Sequence, residues 1–110
     1  MEPRPAKPAQ PDLSAALDRL WIRFLPEIRE RVTVIESAIQ SLAAGSLSAE
    51  QKEAAASAAH KLAGVLGTFS LHRGTVIARE LELQFTATPD SPANLSALAY
   101  ELRSIIESRK

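Results

Sequence analysis

The chain has 110 residues, with 13 basic and 13 acidic side chains and no cysteine. This length suits one domain with a single core, and the balanced charge argues against nucleic-acid binding. The missing thiols exclude disulfides, cysteine-rich zinc sites and a cysteine nucleophile.

The N-terminal residues 1–11 contain four prolines among alanines and mixed charges. This composition is typical of an extended tail or a linker. No apolar segment follows Arg4 and Lys7, and no apolar run approaches the roughly 20 residues that cross a bilayer. We therefore expect no signal peptide, no membrane partner and a cytoplasmic location.

The folded domain is predicted to cover residues 12–110, with Asp12 capping its first helix. Two apolar stripes at helical spacing lie on either side of Pro26, where a helix interior would lose about 3 kcal/mol or more. A kink or a break is expected there, which leaves a short helix before Pro26 and a longer one ending at Gly45. The stripes are Leu13, Leu17, Leu20 and Phe24, then Ile28, Val32, Ile35, Ile39 and Leu42.

The next helix opens with the capping-box sequence from Ser48 to Gln51. A further helix is predicted from Leu71 to Phe85, and the Ser91–Pro92 pair is a typical start for the last one. No segment alternates with a period of two residues. The sequence thus predicts an all-α fold, an antiparallel four-helix bundle with a short additional N-terminal helix. Trp21 is expected in the core at one end of the bundle.

His60 lies on the second bundle helix, roughly 160° around the axis from the apolar stripe, at about 100° per residue. Most positions beside it on its own face have small side chains or none. An imidazole on a face without bulk is accessible to a large partner. These flanking positions are Glu53, Ala56, Ser57, Ala63, Gly64 and Gly67.

The chemistry open to the chain is narrow. There is no P-loop and no dinucleotide fingerprint, and His60 and His72 do not have metal-ligand spacing, so we expect no bound cofactor or metal. A neutral imidazole can attack a phosphoryl group, but positioning and charge neutralisation would have to come from a partner. The chain alone is therefore not expected to be a self-sufficient enzyme.

The segment His60-Lys61-Leu62-Ala63-Gly64 resembles the motif of histidine-containing phosphotransfer (HPt) domains, approximately His-x-Leu-Lys-Gly. The resemblance implies that His60 is the phospho-acceptor and exchanges the group with a receiver-domain aspartate. It also implies that the response-regulator receiver supplies Mg²⁺, and that a hybrid sensor histidine kinase is a further candidate partner. We expect a monomer.

The same comparison indicates residues that contact the phosphoryl group or the partner. Gly64 and Gly67 match small positions of the family, and Lys61 and Ser57 flank the histidine. Two positions depart from the pattern: Ala63 stands where the family often has lysine, and Ser70 where glycine is usual. Lys61 is a candidate to supply the positive charge that a lysine at position 63 would provide. Ser70 is expected to cap the following helix. Arg73 and Arg79 are weaker candidates for phosphate contact.

Two alternatives remain open at this point. The chain could be a non-catalytic HPt-like adaptor that only binds a signalling partner. It could also be a dimerising bundle that resembles the dimerisation helices of histidine kinases, although four helices in one chain argue against this. The Pro-rich tail fits both a free-standing protein and a domain of a larger sensor kinase.

Overall fold

A computed structural model describes residues 9–89 and 91–109, with side chains from residue 13 onward. It contains four helices, α1 (Ala9–Ala43), α2 (Ala49–Thr68), α3 (His72–Thr86) and α4 (Pro92–Ser108), and no strand within those ranges. Each helix packs on two neighbours, in the cycle α1–α2–α3–α4–α1. This is the predicted antiparallel four-helix bundle. No helix in the described ranges is long and apolar enough to span a membrane.

Helix α1 passes through Pro26 without interruption, so the prediction of a separate short N-terminal helix was wrong. Proline removes one hydrogen bond, to the carbonyl of Ile22 four residues earlier. Ile22 is 69% exposed, so water can satisfy that carbonyl. Buried residues on both sides, Trp21 and Ile28, attach the two halves to the same core, and this packing outweighs the local penalty.

The start of α1 also differs from expectation. The helix begins at Ala9, so Asp12 lies inside it and does not precede it as a cap. The last three residues of the predicted tail, 9–11, therefore belong to α1. Residues 1–8, which hold the rest of that tail, lie outside the described residues.

The inward face of α1 before Pro26 is not the predicted stripe. Leu13, Leu20 and Phe24 are exposed, whereas Trp21 is buried and Leu17 and Leu25 pack partly against the core. Helix α1 has 35 residues and is about 52 Å long. Helix α4, which packs alongside it, has only 17 residues. The first turns of α1 therefore extend past the end of α4, and the apolar side chains there have less to pack on.

Three of the predicted helix ends are confirmed. Ser48 and Gln51 form a reciprocal capping box, with hydrogen bonds of 3.0 and 3.1 Å. Ser91 caps α4 and Pro92 occupies its first turn. Gly45, with φ +72°, closes α1 in the left-handed conformation that glycine adopts without strain.

Ser70 ends α2 and does not cap α3. Its φ is +61°, and the N–H of Leu71 reaches back to the carbonyl of Leu66 at 2.9 Å, as in the Schellman ending of a helix. The N-cap of α3 is Leu71, with no side-chain hydrogen bond. The predicted cap was therefore wrong, because the left-handed turn uses Ser70 as a backbone element at the position where glycine would be unstrained.

The ends of α1 and α4 are joined by ion pairs and an aromatic cluster. Glu107 accepts two hydrogen bonds from Arg29, at 2.6 and 2.8 Å, and these bonds lower the pKa of Glu107. Trp21 is buried, as predicted, and meets Phe69 edge-on with ring centroids 5.1 Å apart. Arg109 lies over the Trp21 ring at 5.1 Å. These contacts fix α4 against α1 and the end of α2.

Candidate functional site

His60 projects from the middle of α2 with 74% of its side chain exposed. Ala59, just before it, and Leu62, two residues after it, are fully buried in the core. The buried apolar face of α2 therefore fixes the helix rotation, and that rotation directs position 60 toward water. The predicted exposure of the imidazole is confirmed.

The ring is oriented by a carboxylate from α3. Nδ1 of His60 lies 3.0 Å from Oε2 of Glu82, whose side chain is 32% exposed. A carboxylate only accepts hydrogen bonds, so the contact places the proton of a neutral ring on Nδ1. The lone pair is then on Nε2, at the other edge of the ring.

Sequence reasoning assigned no role to Glu82. A signal was nevertheless present, because α2 and α3 are antiparallel and joined by only three residues. In such a hairpin, residues at equal distances from the connection lie opposite each other. Both observed contacts lie near this alignment: Thr75 bonds to the carbonyl of Ala63 at 3.3 Å, and Glu82 contacts His60, each pair being two residues away from equal distance.

The glycines of the hairpin differ in what surrounds them. A Cβ on Gly64 would meet nothing within 4 Å, whereas one on Gly74 would lie 3.1 Å from a methyl group of Leu66. Gly74 therefore permits close packing of α3 on α2. Gly64 serves no such contact, although glycine in a helix interior costs about 1 kcal/mol relative to alanine. Because Gly64 has no side chain, the surface beside His60 stays open.

A groove between α2 and α3 runs alongside the imidazole. Its α2 wall is low because Ala63 and Gly64 form it, and the α3 wall carries both charged and apolar side chains. Thr86 closes one end, and its hydroxyl donates to the carbonyl of Glu82. The lining residues are His60, Ala63, Gly64, Arg79, Glu82, Leu83 and Thr86. We call this the His60 groove.

The other sequence candidates lie outside this groove. Lys61, Ser57 and Gly67 are exposed on α2 but do not line it. Arg73 pairs with Glu101 on α4, at 2.8 Å, which directs it away from the histidine. Of the two arginines considered, only Arg79 shares the groove with His60.

Helix α3 adds an apolar patch next to the site. Val76 is 56% exposed and Leu83 is 65% exposed, seven residues apart and therefore on one face of the helix. Leu83 also lines the His60 groove. Leu83 therefore adds apolar surface at the edge of the groove.

The model of the family described as Hpt domain matches residues 19–109. The chain belongs to the Hpt domain family. Members of this family take part in phosphotransfer in two-component signalling and interact with receiver domains. The match includes α1 from residue 19 onward and all of α2, α3 and α4, and the exposed His60 lies within it.

One curated relative supports the assignment. Protein RcaC from Microchaete diplosiphon is 34% identical over 74 residues. The aligned region covers 67% of this Hpt chain and 11% of RcaC. The chain thus corresponds to about a tenth of that protein. No solved structure matches the chain.

Proposed function

We propose that this Hpt domain is a phosphorelay intermediate in which Nε2 of His60 accepts a phosphoryl group from a receiver aspartate and returns it to one. The observation that carries the proposal is the 3.0 Å contact between Nδ1 of His60 and Glu82 on a ring that is 74% exposed. It combines an oriented nucleophile with open access, which a purely structural surface histidine does not require.

The transfer step follows from this tautomer. The lone pair of Nε2 forms the N–P bond while the P–O bond of the aspartyl phosphate breaks, and that electron pair stays on the aspartate carboxylate. No proton moves, because Nδ1 keeps its hydrogen. The ring becomes cationic as the bond forms, and the carboxylate of Glu82 stabilises that charge. The reverse step restores the neutral imidazole.

The receiver completes the site. In this proposal it supplies Mg²⁺ and its own acidic pocket, and it docks over the His60 groove. Gly64 leaves space for the approach, and Val76 and Leu83 provide apolar contact area on α3. Such transient signalling interfaces are modest in area. A hybrid sensor kinase that carries its own receiver is a suitable partner for the same surface.

The proposal is tested by transfer from a receiver labelled with ³²P. We expect the wild-type chain to gain an acid-labile, alkali-stable label that mass spectrometry maps to His60. His60→Gln should abolish the label while the circular dichroism spectrum stays that of a helical bundle. The matched control is His72→Gln, since His72 is the other histidine of the chain and is also exposed.

The control variant should label like the wild type. Labelling that persists in His60→Gln, or that disappears in His72→Gln, would contradict the proposal. A wild-type chain that binds the phosphorylated receiver but is never labelled would instead indicate the alternative function, a non-catalytic adaptor.

A further inference from the structure

We propose that Arg79 binds the phosphoryl oxygens of phosphorylated His60, so that the cation of this site comes from α3 and not from α2. The inference rests on the function proposed above and adds to it the residue that neutralises the transferred group. Phosphoryl transfer depends mainly on positioning and on compensation of the negative charge. When the receiver and its Mg²⁺ have dissociated, a cation on this chain would compensate the charge of the phosphoryl group beside Glu82.

Arg79 has the right location for that role. It lines the His60 groove together with His60 and Glu82. On α3 it precedes Glu82 by three residues, so the two side chains leave the same face of the helix about 4.5 Å apart along its axis. The planar guanidinium, with several fixed donors, suits the oxygens of a phosphoryl group.

Arg79 is also uncommitted. Within residues 13–89 and 91–109 no carboxylate lies within ion-pair distance of its guanidinium. By contrast, Arg73 on the same helix pairs with Glu101, and Arg103 on α4 pairs with Glu36 at 2.9 Å. Glu82, the acidic residue that lines the groove, has its Oε2 at His60. The guanidinium can therefore turn toward a new anion without breaking an existing ion pair.

The α2 side of the groove offers no cation. Ala63 and Gly64 form that wall, and Ala63 is 5% exposed. Lys61 is exposed, but it leaves the helix about 100° away from His60 and does not line the groove. The small residues of α2 leave room in the groove for the long side chain that reaches in from α3.

The experiment compares Arg79→Ala, Arg79→Lys and the matched control Lys61→Ala, which removes the same charge one residue from His60. Each chain is phosphorylated on histidine in two ways, by a labelled receiver and by potassium phosphoramidate without any partner. We measure the rate of transfer from the receiver and the ratio of phosphohistidine to aspartyl phosphate at equilibrium. Circular dichroism verifies that each variant is folded.

We expect Arg79→Ala to lower the transfer rate and the equilibrium share of phosphohistidine about tenfold, the lower limit for a hydrogen bond to a charged group. Arg79→Lys should recover part of the loss, because lysine restores the positive charge but lacks the planar set of donors of the guanidinium. Lys61→Ala should stay within twofold of the wild type. The defect of Arg79→Ala should persist at 0.5 M salt, since a direct contact is screened less than long-range steering.

Two results would overturn the assignment to Arg79 alone: Arg79→Ala with wild-type transfer and equilibrium, or Lys61→Ala with an equal loss. A defect of Arg79→Ala that vanishes at high salt would also overturn it, because that indicates steering of the receiver. A wild-type chain that neither the receiver nor phosphoramidate labels at His60 would overturn the proposed function as well. The two failures are therefore distinguishable.

Discussion

Glu82 on α3 holds Nδ1 of His60 on α2 at 3.0 Å, across a sequence separation of 22 residues. The contact fixes which ring nitrogen carries the proton and which one is free to react. It also places a negative charge beside a ring that, in the proposed transfer, becomes positive when Nε2 is phosphorylated. Substitutions of Glu82 can separate its effect on the orientation of the His60 ring from the effect of its charge. Glutamine keeps a hydrogen-bond acceptor at this position without the charge, whereas alanine removes both.

We expect Glu82→Ala to slow transfer to His60 by about 10- to 100-fold, since a hydrogen bond to a charged group contributes about 1.5–3 kcal/mol. Glu82→Gln should give an intermediate rate, because the amide oxygen still accepts from Nδ1. The ¹⁵N shifts of the His60 ring should show more Nε2–H tautomer in Glu82→Ala. Unchanged ring shifts together with a reduced rate would assign the effect to docking and not to the ring.

Substitutions at Gly64 should separate stability from access. Gly64→Ala is expected to stabilise the fold by about 1 kcal/mol, because alanine is the better helix former and its Cβ meets nothing within 4 Å. Gly64→Phe should also fold but should abolish transfer from a receiver by covering the approach to His60. Thermal melts and the transfer assay measure the two effects. If Gly64→Phe is labelled at the normal rate, the receiver does not dock over this surface.

Ser70→Gly should raise the free energy of unfolding by about 0.5–1 kcal/mol. A non-glycine residue in the left-handed region costs about 1–2 kcal/mol, and the greater freedom of glycine in the unfolded chain offsets part of the gain. Urea denaturation gives the value. Ser70→Ala is the control and should leave the stability close to that of the wild type, since it keeps the Cβ and loses only an exposed hydroxyl.

The Arg29–Glu107 pair makes the stability depend on pH in the acid range. The hydrogen bond from Arg29, followed by the attraction of Arg29 and Arg103, lowers the pKa of Glu107 below its ordinary value of 4.5. A carboxyl with a lowered folded-state pKa contributes stability above its unfolded-state pKa, and this contribution disappears as the pH falls through the folded-state value.

Glu107→Gln should therefore be less stable than the wild type at pH 7, and the difference should shrink steadily below about pH 4.5. Urea midpoints measured from pH 7 to pH 3 provide the comparison. Glu30→Gln on α1 is the control, because Glu30 has no ion pair among the described side chains. A difference between Glu107→Gln and wild type that stays constant with pH would mean that the pair contributes through packing alone.

Local sequence signals predicted several of the helix ends. The Ser48–Gln51 capping box, Gly45 and the Ser91–Pro92 start act within one turn, so their chemistry can be read from a few residues. The exposure of His60 followed in the same way from the apolar stripe on its own helix. Each of these predictions needed only the geometry of one segment.

Features that depend on two segments were missed. The penalty at Pro26 is local, but the packing of Trp21 and Ile28 that overrides it comes from other helices. Glu82 reaches His60 only through the register of α3 on α2. The position of Arg79 in the groove beside His60 also depends on how α3 packs on α2.

The most extensive helix contact in the bundle is between α2 and α3, and their connection has only three residues. Contacts between segments close in the chain form quickly, because little loop entropy is lost. We therefore expect this hairpin to assemble early during folding and to resist hydrogen exchange longest. His60 and Glu82 would then stay together even when thermal motion frees the long first helix.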